Sequence, residues 1–240
     1  MARRDASQAP VPRFEPTAQQ YEGQLDSQDL EELVSAIVER QGWGSGSRRT
    51  VVEIGTGGGA GSTVAIHRAL TASNCQFELL CYEGDPKLAM HASRHWAGVQ
   101  DVRIVNEYFV HREDIDLAVL PRIPQSDRET YLPYFEAVAT ADNFLATPPA
   151  GAIDLLFIDS VRYTHLAILR AAMPWLRPET VVLMEDDIPG FGELAIVKSE
   201  LRVRRVTRHE IGASPWPFVE LRVVGRARRL ARALGSLTGR

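Results

Sequence analysis

The sequence has few cysteines, no long apolar run and no excess of basic charge, and each shortage excludes a class of protein. Its 240 residues include two cysteines, Cys75 and Cys81, too few for a disulfide framework and without the spacing of a metal site. No apolar stretch reaches the roughly 20 residues of a membrane-spanning helix. The amino-terminal segment lacks the apolar centre of a secretory signal. We therefore expect a cytoplasmic protein with no transmembrane segment.

The overall charge is mildly acidic. The formal net charge is −4 and the isoelectric point is near 5.9, which argues against a nucleic-acid partner. Basic residues are concentrated at positions 226–240, where leucines and alanines recur at helical spacing. This tail is interpreted either as a solvated terminal helix or as a contact for a membrane surface or a partner.

The composition divides the chain into an arm, one domain and the tail. Residues 1–25 are rich in Pro, Gln and Ala and predict a flexible arm before a domain at 26–225. Within the domain, the stretch at about 112–150 is longer than a usual connection. It includes Tyr131, Tyr134 and Phe135. We expect an insertion that either shapes a substrate pocket or packs as a surface helix on the core.

Strand-like and helix-like segments alternate along the domain. This alternation predicts an α/β fold, a Rossmann-like, doubly wound and mostly parallel sheet. Two final strand-like runs joined by a turn predict an antiparallel edge hairpin at the C-terminal end. The predicted strands are 50–54, 77–82, 102–106, 153–158, 180–184, 202–210 and 218–224. Leu30, Leu33, Val34 and Ile37 mark a first helix, with Asp26 or Ser27 as its N-cap and with Gly42, Gly44 and Gly46 at its end. The other predicted helices are about 62–72, 86–96, which Asp85 caps, and 163–175.

A glycine-rich turn follows the first predicted strand. Residues 53–61 read EIGTGGGAG, with Glu53 on the strand just before the first glycine. Glycines between a strand and a helix let a ligand approach the backbone, and the helix N-terminus offers free N–H groups. The E-x-G-x-G-x-G spacing resembles motif I of the class I S-adenosylmethionine (SAM)-dependent methyltransferases. An acid suits SAM, whose sulfonium and amino groups are cationic, whereas dinucleotide-binding folds usually have a neutral residue there.

A second acid, Glu83, ends the second predicted strand. A carboxylate there can accept hydrogen bonds from both hydroxyls of a ribose, in SAM or in NAD, so it indicates a nucleoside without choosing between them. The resemblance implies that SAM is the cofactor. It also implies a set of cofactor-binding residues: Glu53, Gly55, Thr56, Gly57, Gly59, Ser62, Glu83, Phe109 and Asp159.

Carboxylates follow the fourth and fifth predicted strands. Asp159 ends the fourth, and Glu185, Asp186 and Asp187 end the fifth. Such converging carboxylates repel one another unless a cation or protons intervene, and oxygen ligands suit Mg²⁺ or Ca²⁺. The layout resembles the metal-dependent O-methyltransferases of the catechol and macrocin types, which implies that Asp159, Asp186 and Asp187 bind Mg²⁺. The alternative is that these acids cap helices and solvate loops.

The catalytic base does not follow from this resemblance. Where the catechol type has a lysine base, this chain has Arg162, which stays protonated and could instead pair with a substrate anion or a carboxylate. His165 is the nearest residue that titrates near neutral pH. It is either the base beside Asp159 or a satisfied surface histidine.

The function that these features predict is Mg²⁺-assisted O-methylation of a hydroxylated small molecule such as a sugar, a phenol or another natural product. An NAD(P)-dependent oxidoreductase and a non-catalytic binding module with a methyltransferase fold are the alternatives. A nucleic-acid methyltransferase is disfavoured, because residues 159–162 read DSVR where amino-methylating enzymes of that kind have Asn/Asp-Pro-Pro-aromatic. A monomer and a homo-oligomer both remain open.

Overall fold

The computed structural model describes residues 27–44, 46–115, 132, 136–138, 140–160, 164–185, 197–198, 201–209 and 218–226. Within these ranges a helix precedes the first strand, and helices separate the first strand from the second, the second from the third and the fourth from the fifth. The helices are α1 (Ser27–Gln41), α2 (Ser62–Ala72), α3 (Pro86–His95) and α4 (His165–Ala172). The strands are β1 (Arg49–Ile54), β2 (Phe77–Tyr82), β3 (Val102–Val105), β4 (Ile153–Ile158), β5 (Leu176–Glu185), β6 (Leu201–His209) and β7 (Phe218–Arg226).

The seven strands form one sheet in the order β3-β2-β1-β4-β5-β7-β6. The first five strands are mutually parallel, whereas β7 is antiparallel to β5 and β6 is antiparallel to β7. The order reverses at β1, which has β2 on one side and β4 on the other. In parallel α/β sheets a ligand binds beside such a switch point, at the carboxyl ends of the strands.

Both faces of the sheet are covered, because alternate strand residues point into two separate apolar clusters. Val52, Leu156 and Val182 pack on the face covered by α4, and Val51, Leu155 and Leu183 pack on the face covered by α1 and α2. Strands that are buried on both faces have nearly continuous apolar sequences, as in a parallel sheet. This explains why the central strands could be located from short β-branched and leucine-rich runs.

Local sequence signals set the limits of several helices. Asp85 caps α3 by accepting hydrogen bonds from the backbone N–H groups of Lys87 (2.7 Å) and Leu88 (3.3 Å), and Pro86 occupies the first turn. At the other end of the domain core, α1 stops before Gly42, which has a positive φ of 66°. The predicted cap for α3 and the predicted glycine end of α1 are both confirmed.

The antiparallel edge carries a fully buried acid. Glu220 of β7 has 0% exposure, and Arg40 of α1 donates a hydrogen bond to it at 2.8 Å. The ring of His209 from β6 lies 3.2 Å from the same carboxylate, and Arg222 lies 3.7 Å from it. This ion cluster connects α1 to the two strands that close the sheet.

The predicted fold class is confirmed, including the antiparallel edge pair. The largest difference among the strands is at β5, which was predicted at 180–184 and begins at Leu176. Its first residues pair with β4 through an irregular register in which the Thr180 hydroxyl donates to the carbonyl of Ile153 at 2.6 Å. The predicted helix at 163–175 is shorter, with α4 followed by a 3₁₀ turn at Met173–Trp175. None of the described helices is long and apolar enough to cross a membrane.

Candidate functional site

The strand register aligns the carboxyl ends of three neighbouring strands. Ile54 of β1 is level with Tyr82 of β2 and with Ile158 of β4. The next residues along the chain are therefore adjacent at one edge of the sheet, and they are Gly55, Glu83 and Asp159. Strand register thus brings together three of the residues that the sequence marked as candidates for ligand binding.

Gly55 is required by the approach of the neighbouring strand end. The Asp159 N–H donates to the carbonyl of Ile54 at 2.9 Å, and a Cβ at Gly55 would overlap the carbonyl of Asp159. The φ angle of Gly55 is +89°, a region that L side chains rarely adopt. The first glycine of the motif therefore serves packing between β1 and β4, and no ligand is needed to explain it.

Gly57 differs, because it faces open space. No atom of the described residues lies within 4 Å of the position that a Cβ at Gly57 would take, although its φ is also positive at +57°. Its N–H donates to the Glu83 carboxylate at 2.6 Å. Gly59 is again a packing position, since its carbonyl accepts from the Trp96 indole at 2.8 Å. The Cβ position of Gly58 is likewise open, so the Gly57–Gly58 stretch is the part of the turn that could accommodate a ligand.

Glu53 lies beneath the turn and is fully buried. Its carboxylate accepts hydrogen bonds from the hydroxyls of Ser62 at 2.6 Å, Thr63 at 2.7 Å and Thr56 at 3.4 Å. Burial raises the pKa of Glu53, and the hydroxyl donors oppose this shift. Sequence reasoning placed this acid correctly beside the turn but did not anticipate that hydroxyl groups of its own chain surround it.

Glu83 bridges the glycine turn and the start of α3. One carboxylate oxygen accepts from the N–H of Gly57, and the other accepts from the N–H of Asp85 at 2.8 Å. The side chain is largely buried, and this burial raises the pKa of Glu83 although the two backbone donors lower it. Each oxygen keeps a further acceptor position, so the carboxylate can still bind a ribose hydroxyl.

The segment after β3 adds a wall beside Glu83. The amide of Asn106 donates to the carbonyl of Glu83 at 2.9 Å, and the amide of Asn143 donates to the carbonyl of Gly84 at 3.0 Å. A Cβ at Gly84 would overlap the ring of Tyr108. Tyr108 is half-buried, and burial followed by the nearby Glu83 raises its pKa. The resemblance implies contacts with adenine at the exit of the third strand, residues 106–109, and Asn106 and Tyr108 lie in that segment. Asn143 was not predicted, because an asparagine in a loop gives no periodic signal.

Hydrogen bonds connect the end of the predicted insertion to the segment after β3. Glu107 accepts hydrogen bonds from the N–H groups of Ala146 (2.8 Å) and Thr147 (2.9 Å) and from the Thr147 hydroxyl (2.6 Å). The Tyr82 hydroxyl donates to the carbonyl of Thr147 at 2.6 Å. The aromatic residues that were expected to shape a pocket in the insertion, Tyr131, Tyr134 and Phe135, lie outside the described residues.

Phe109, the aromatic residue predicted at the adenine position, lies in the core. It is 1% exposed, and its ring packs edge-on against Tyr82 at 4.7 Å and against Trp175 at 6.3 Å. A side chain enclosed in this way cannot stack on a ligand without leaving the core. Successive residues of an extended segment point to opposite sides. Tyr108 therefore takes the half-exposed position next to Gly84, whereas Phe109, the next residue, points into the core.

The predicted catalytic and metal-binding residues are only partly described. Asp159 follows β4 and is half-buried, whereas His165 begins α4 with 1% exposure and its Nε2 lies 3.4 Å from the carbonyl of Ser160. His165 is therefore a buried residue and not a surface histidine, and its role as the base stays a prediction. Among the described residues, no three His, Cys, Asp or Glu side chains form a group that could hold a metal ion. Arg162, Asp186 and Asp187 lie outside them.

A separate surface groove lies along α1 and the end of α2. Its volume is about 1300 Å³, and it is lined largely by the solvent-facing polar residues of α1, including Glu31, Glu32 and Glu39, together with Arg68 of α2. It lies away from the aligned strand ends. Because the chemically distinctive residues converge at the strand ends, we assign the candidate site to that edge of the sheet.

Comparison with known proteins identifies the family of the chain. A family model described as a methyltransferase domain matches residues 52–187. A solved structure from Klebsiella pneumoniae, provisionally assigned as an O-methyltransferase, is similar with a TM-score of 0.50 and 19% identity over 89% of this chain and 83% of that chain. An O-methyltransferase from Bacillus cereus, solved in complex with SAH, has a TM-score of 0.47 and 19% identity over 89% and 84% of the two chains. Comparison with curated proteins gives no match.

Proposed function

Because the chain belongs to a family of methyltransferase domains, we propose that it transfers the methyl group of SAM to a hydroxyl oxygen of a small molecule. One observation carries the proposal. Register places the open glycine turn at Gly57 and the carboxylate of Glu83 side by side at the carboxyl edge of the sheet. When bound, SAM would supply the methyl group and would leave as SAH, a neutral thioether, while the acceptor hydroxyl would release its proton to a base or to solvent.

The chain's own residues account for cofactor binding. Glu83 accepts hydrogen bonds from the ribose hydroxyls, and the space above Gly57 receives the body of the cofactor. The N-terminus of α2 follows Gly61, which has no side chain to cap the helix, so its first N–H groups can bind the carboxylate of the cofactor. Tyr108 and Asn106 form the wall on the side where the adenine of the cofactor would lie.

Asp159 is the residue closest to the transfer step in this proposal. It stands at the end of β4 next to Gly55, level with the end of β5, because Ile158 pairs with Met184. Asp186 and Asp187 follow β5 directly in the sequence. This all-oxygen donor set fits Mg²⁺, which would lower the pKa of the acceptor hydroxyl there. Asp159, Asp186 and Asp187 would hold the ion, and Arg162 would pair with a substrate anion or a carboxylate.

Neutral oxygen acceptors fit this site better than nucleic acid. The net charge of −4 provides no electrostatic attraction for a polyanion, and nucleic-acid enzymes rely on that attraction. The names of the similar O-methyltransferases suggest the same acceptor chemistry for this chain. We therefore include a sugar, a phenol or another hydroxylated natural product as the acceptor class.

Titration calorimetry with SAM, and with NAD as the control ligand, tests the cofactor assignment. We expect a micromolar Kd for SAM, no heat with NAD, and at least tenfold weaker SAM binding in Glu83→Ala. Glu78→Ala, an acid on the same strand but away from the edge, is the matched control and should bind SAM as the wild type does. Binding of NAD but not SAM would overturn the proposal in favour of an oxidoreductase.

A chelator experiment tests the role of the metal separately. Methyl transfer to a panel of hydroxylated compounds is followed as SAH formation, with and without EDTA, and with Mg²⁺ restored. We expect EDTA to abolish turnover and Asp186→Asn with Asp187→Asn to lower it at least a hundredfold while SAM affinity changes little. Turnover that resists both treatments would exclude the metal and leave the SAM assignment intact.

A further inference from the structure

The strongest unexplained feature of the site is an acid that points away from the ligand space. Glu53 is level with Cys81 of β2 and Phe157 of β4, and its side chain lies on the sheet face covered by α1 and α2. Its exposure is 0%, the same as that of Val51 and Val52 before it. The acid therefore belongs to the interior beneath the glycine turn.

The partners of this carboxylate join the two ends of the turn. Oε1 accepts from Ser62, and Oε2 accepts from Thr63 and, at 3.4 Å, from Thr56. Ser62 and Thr63 are the first two residues of α2, whereas Glu53 is on the strand that the turn leaves. A single side chain thus ties the strand end to the helix start, with the seven residues 55–61 held between them.

The chemistry explains why an acid stands at this position. An ionised carboxylate is purely an acceptor and can take several O–H donors at once. Hydroxyl-to-carboxylate bonds are short, at about 2.5–2.7 Å, and the Ser62 and Thr63 contacts at 2.6 and 2.7 Å have this length. These hydroxyl donors offset part of the burial that raises the pKa of Glu53, and they occupy the carboxylate with groups of the chain itself.

We propose that Glu53 is a positioning residue, which sets the glycine turn and the N-terminus of α2 through Ser62 and Thr63 and does not contact the cofactor. This inference rests on the proposed SAM-binding function. It replaces the electrostatic interpretation of the acid, in which the carboxylate attracts the cationic sulfonium and amino groups. The two interpretations predict different responses to loss of the charge.

SAM and SAH distinguish them, because SAM carries a sulfonium charge and SAH has a neutral thioether. Both dissociation constants are measured by calorimetry for the wild type, Glu53→Gln, Glu53→Ala and Thr63→Val. Gln keeps the shape and can exchange hydrogen bonds with both hydroxyls, so we expect both constants within about threefold of the wild type. Glu53→Ala removes the tie, and both constants should rise about tenfold with an unchanged SAM-to-SAH ratio.

Thr63→Val tests the same hydrogen bonds by removing a hydroxyl donor and leaving the Glu53 carboxylate in place. Thr63 is 0% exposed, so its hydroxyl cannot reach a ligand, yet its loss should weaken SAM and SAH by equal factors of about three to ten. Thr71→Val, on an exposed position of the same helix, is the matched control and should change neither constant. Glu53→Gln and Thr63→Val are both isosteric replacements. If Glu53→Ala does not fold, these two variants still test the proposal.

Three results overturn the inference. A loss of SAM affinity in Glu53→Gln that SAH does not share would show that the acid contacts the cationic part of the cofactor. Unchanged affinities in both Glu53→Ala and Thr63→Val would show that the tie does not position the turn. A wild type that binds neither SAM nor SAH would end the proposed function and this inference with it, whereas the first two results end the inference alone.

Discussion

Among the residues that the structure describes, two glutamates have 0% exposure, and their carboxylates have different kinds of partner. Glu53, under the glycine turn, is surrounded by neutral hydroxyls, whereas Glu220, on the antiparallel edge, is surrounded by Arg40, Arg222 and His209. Hydroxyl donors fix direction and distance without adding charge near a ligand. Cations join separate elements and add a strong, less directional attraction. We infer that the hydroxyl donors hold Glu53 in a defined geometry at the site, whereas the ion cluster of Glu220, called the clamp below, links α1 to the edge strands.

The largest effect is expected within the turn itself. Gly55→Ala should destabilise the protein by about 2–5 kcal/mol, because a positive φ costs about 1–2 kcal/mol and the overlap with the Asp159 carbonyl adds an overpacking cost of about 1–3 kcal/mol. Gly57→Ala has open space and should cost only the first contribution, about 1–2 kcal/mol. Urea denaturation measures both variants. Equal losses at the two positions would contradict the assignment of Gly55 to strand packing.

The next largest loss in the free energy of unfolding is expected when the clamp around Glu220 is removed. Glu220→Ala removes a buried acceptor from two arginines and a histidine that are partly solvated, and we expect a loss of about 2–4 kcal/mol in the free energy of unfolding. Asp101→Ala is the matched control. Its pair with Arg48 is 3.5 Å long with both side chains 56% exposed, so its loss should cost less than about 0.5 kcal/mol.

This prediction also separates the two regions functionally. Glu220→Ala should leave the affinity for SAM unchanged under conditions in which the variant is folded, because the clamp does not reach the glycine turn. Calorimetry at a temperature well below the melting transition measures this. A parallel loss of SAM affinity would show that the edge and the site are one unit and would remove the contrast between them.

The smallest effect concerns the pH dependence that Glu53 contributes. Burial raises its pKa in the folded protein above the usual 4.5, so between these two values the folded state binds more protons than the unfolded state. The contribution of Glu53 to stability therefore falls as the pH rises through this window. The stability of Glu53→Gln relative to the wild type should increase between about pH 4 and pH 7, measured by urea denaturation at each pH. A relative decrease would mean that the hydroxyls outweigh burial.

The sequence was sufficient for most of the fold because the central strands are buried on both faces. Runs such as 153–158 and 77–82 are apolar almost throughout and each is followed directly by an acid, Asp159 or Glu83, and their limits were predicted correctly. The start of β5 was missed, since Leu176 is followed by charged residues and Pro178, and its pairing depends on an irregular register. A break in the ladder has no periodicity that a sequence pattern could show.

The candidate site could be located from the sequence, but the directions of its side chains could not. Strand alternation places Glu53 on the α2 face, yet its interpretation depended on knowing that Ser62 and Thr63 return to meet it. The depth of His165 likewise depends on how α4 packs against the loop after β4. These are properties of tertiary packing, and residue types alone do not determine them.

The position of β7 between β5 and β6 has a consequence for synthesis of the chain on the ribosome. Residues 201–209 emerge before residues 218–226, yet their partner in the sheet is the later strand. The five parallel strands and the glycine turn can assemble while β6 has no neighbour to pair with. Only when β7 has been made does it pair with β5 and give β6 its place, so the last strand translated completes the sheet.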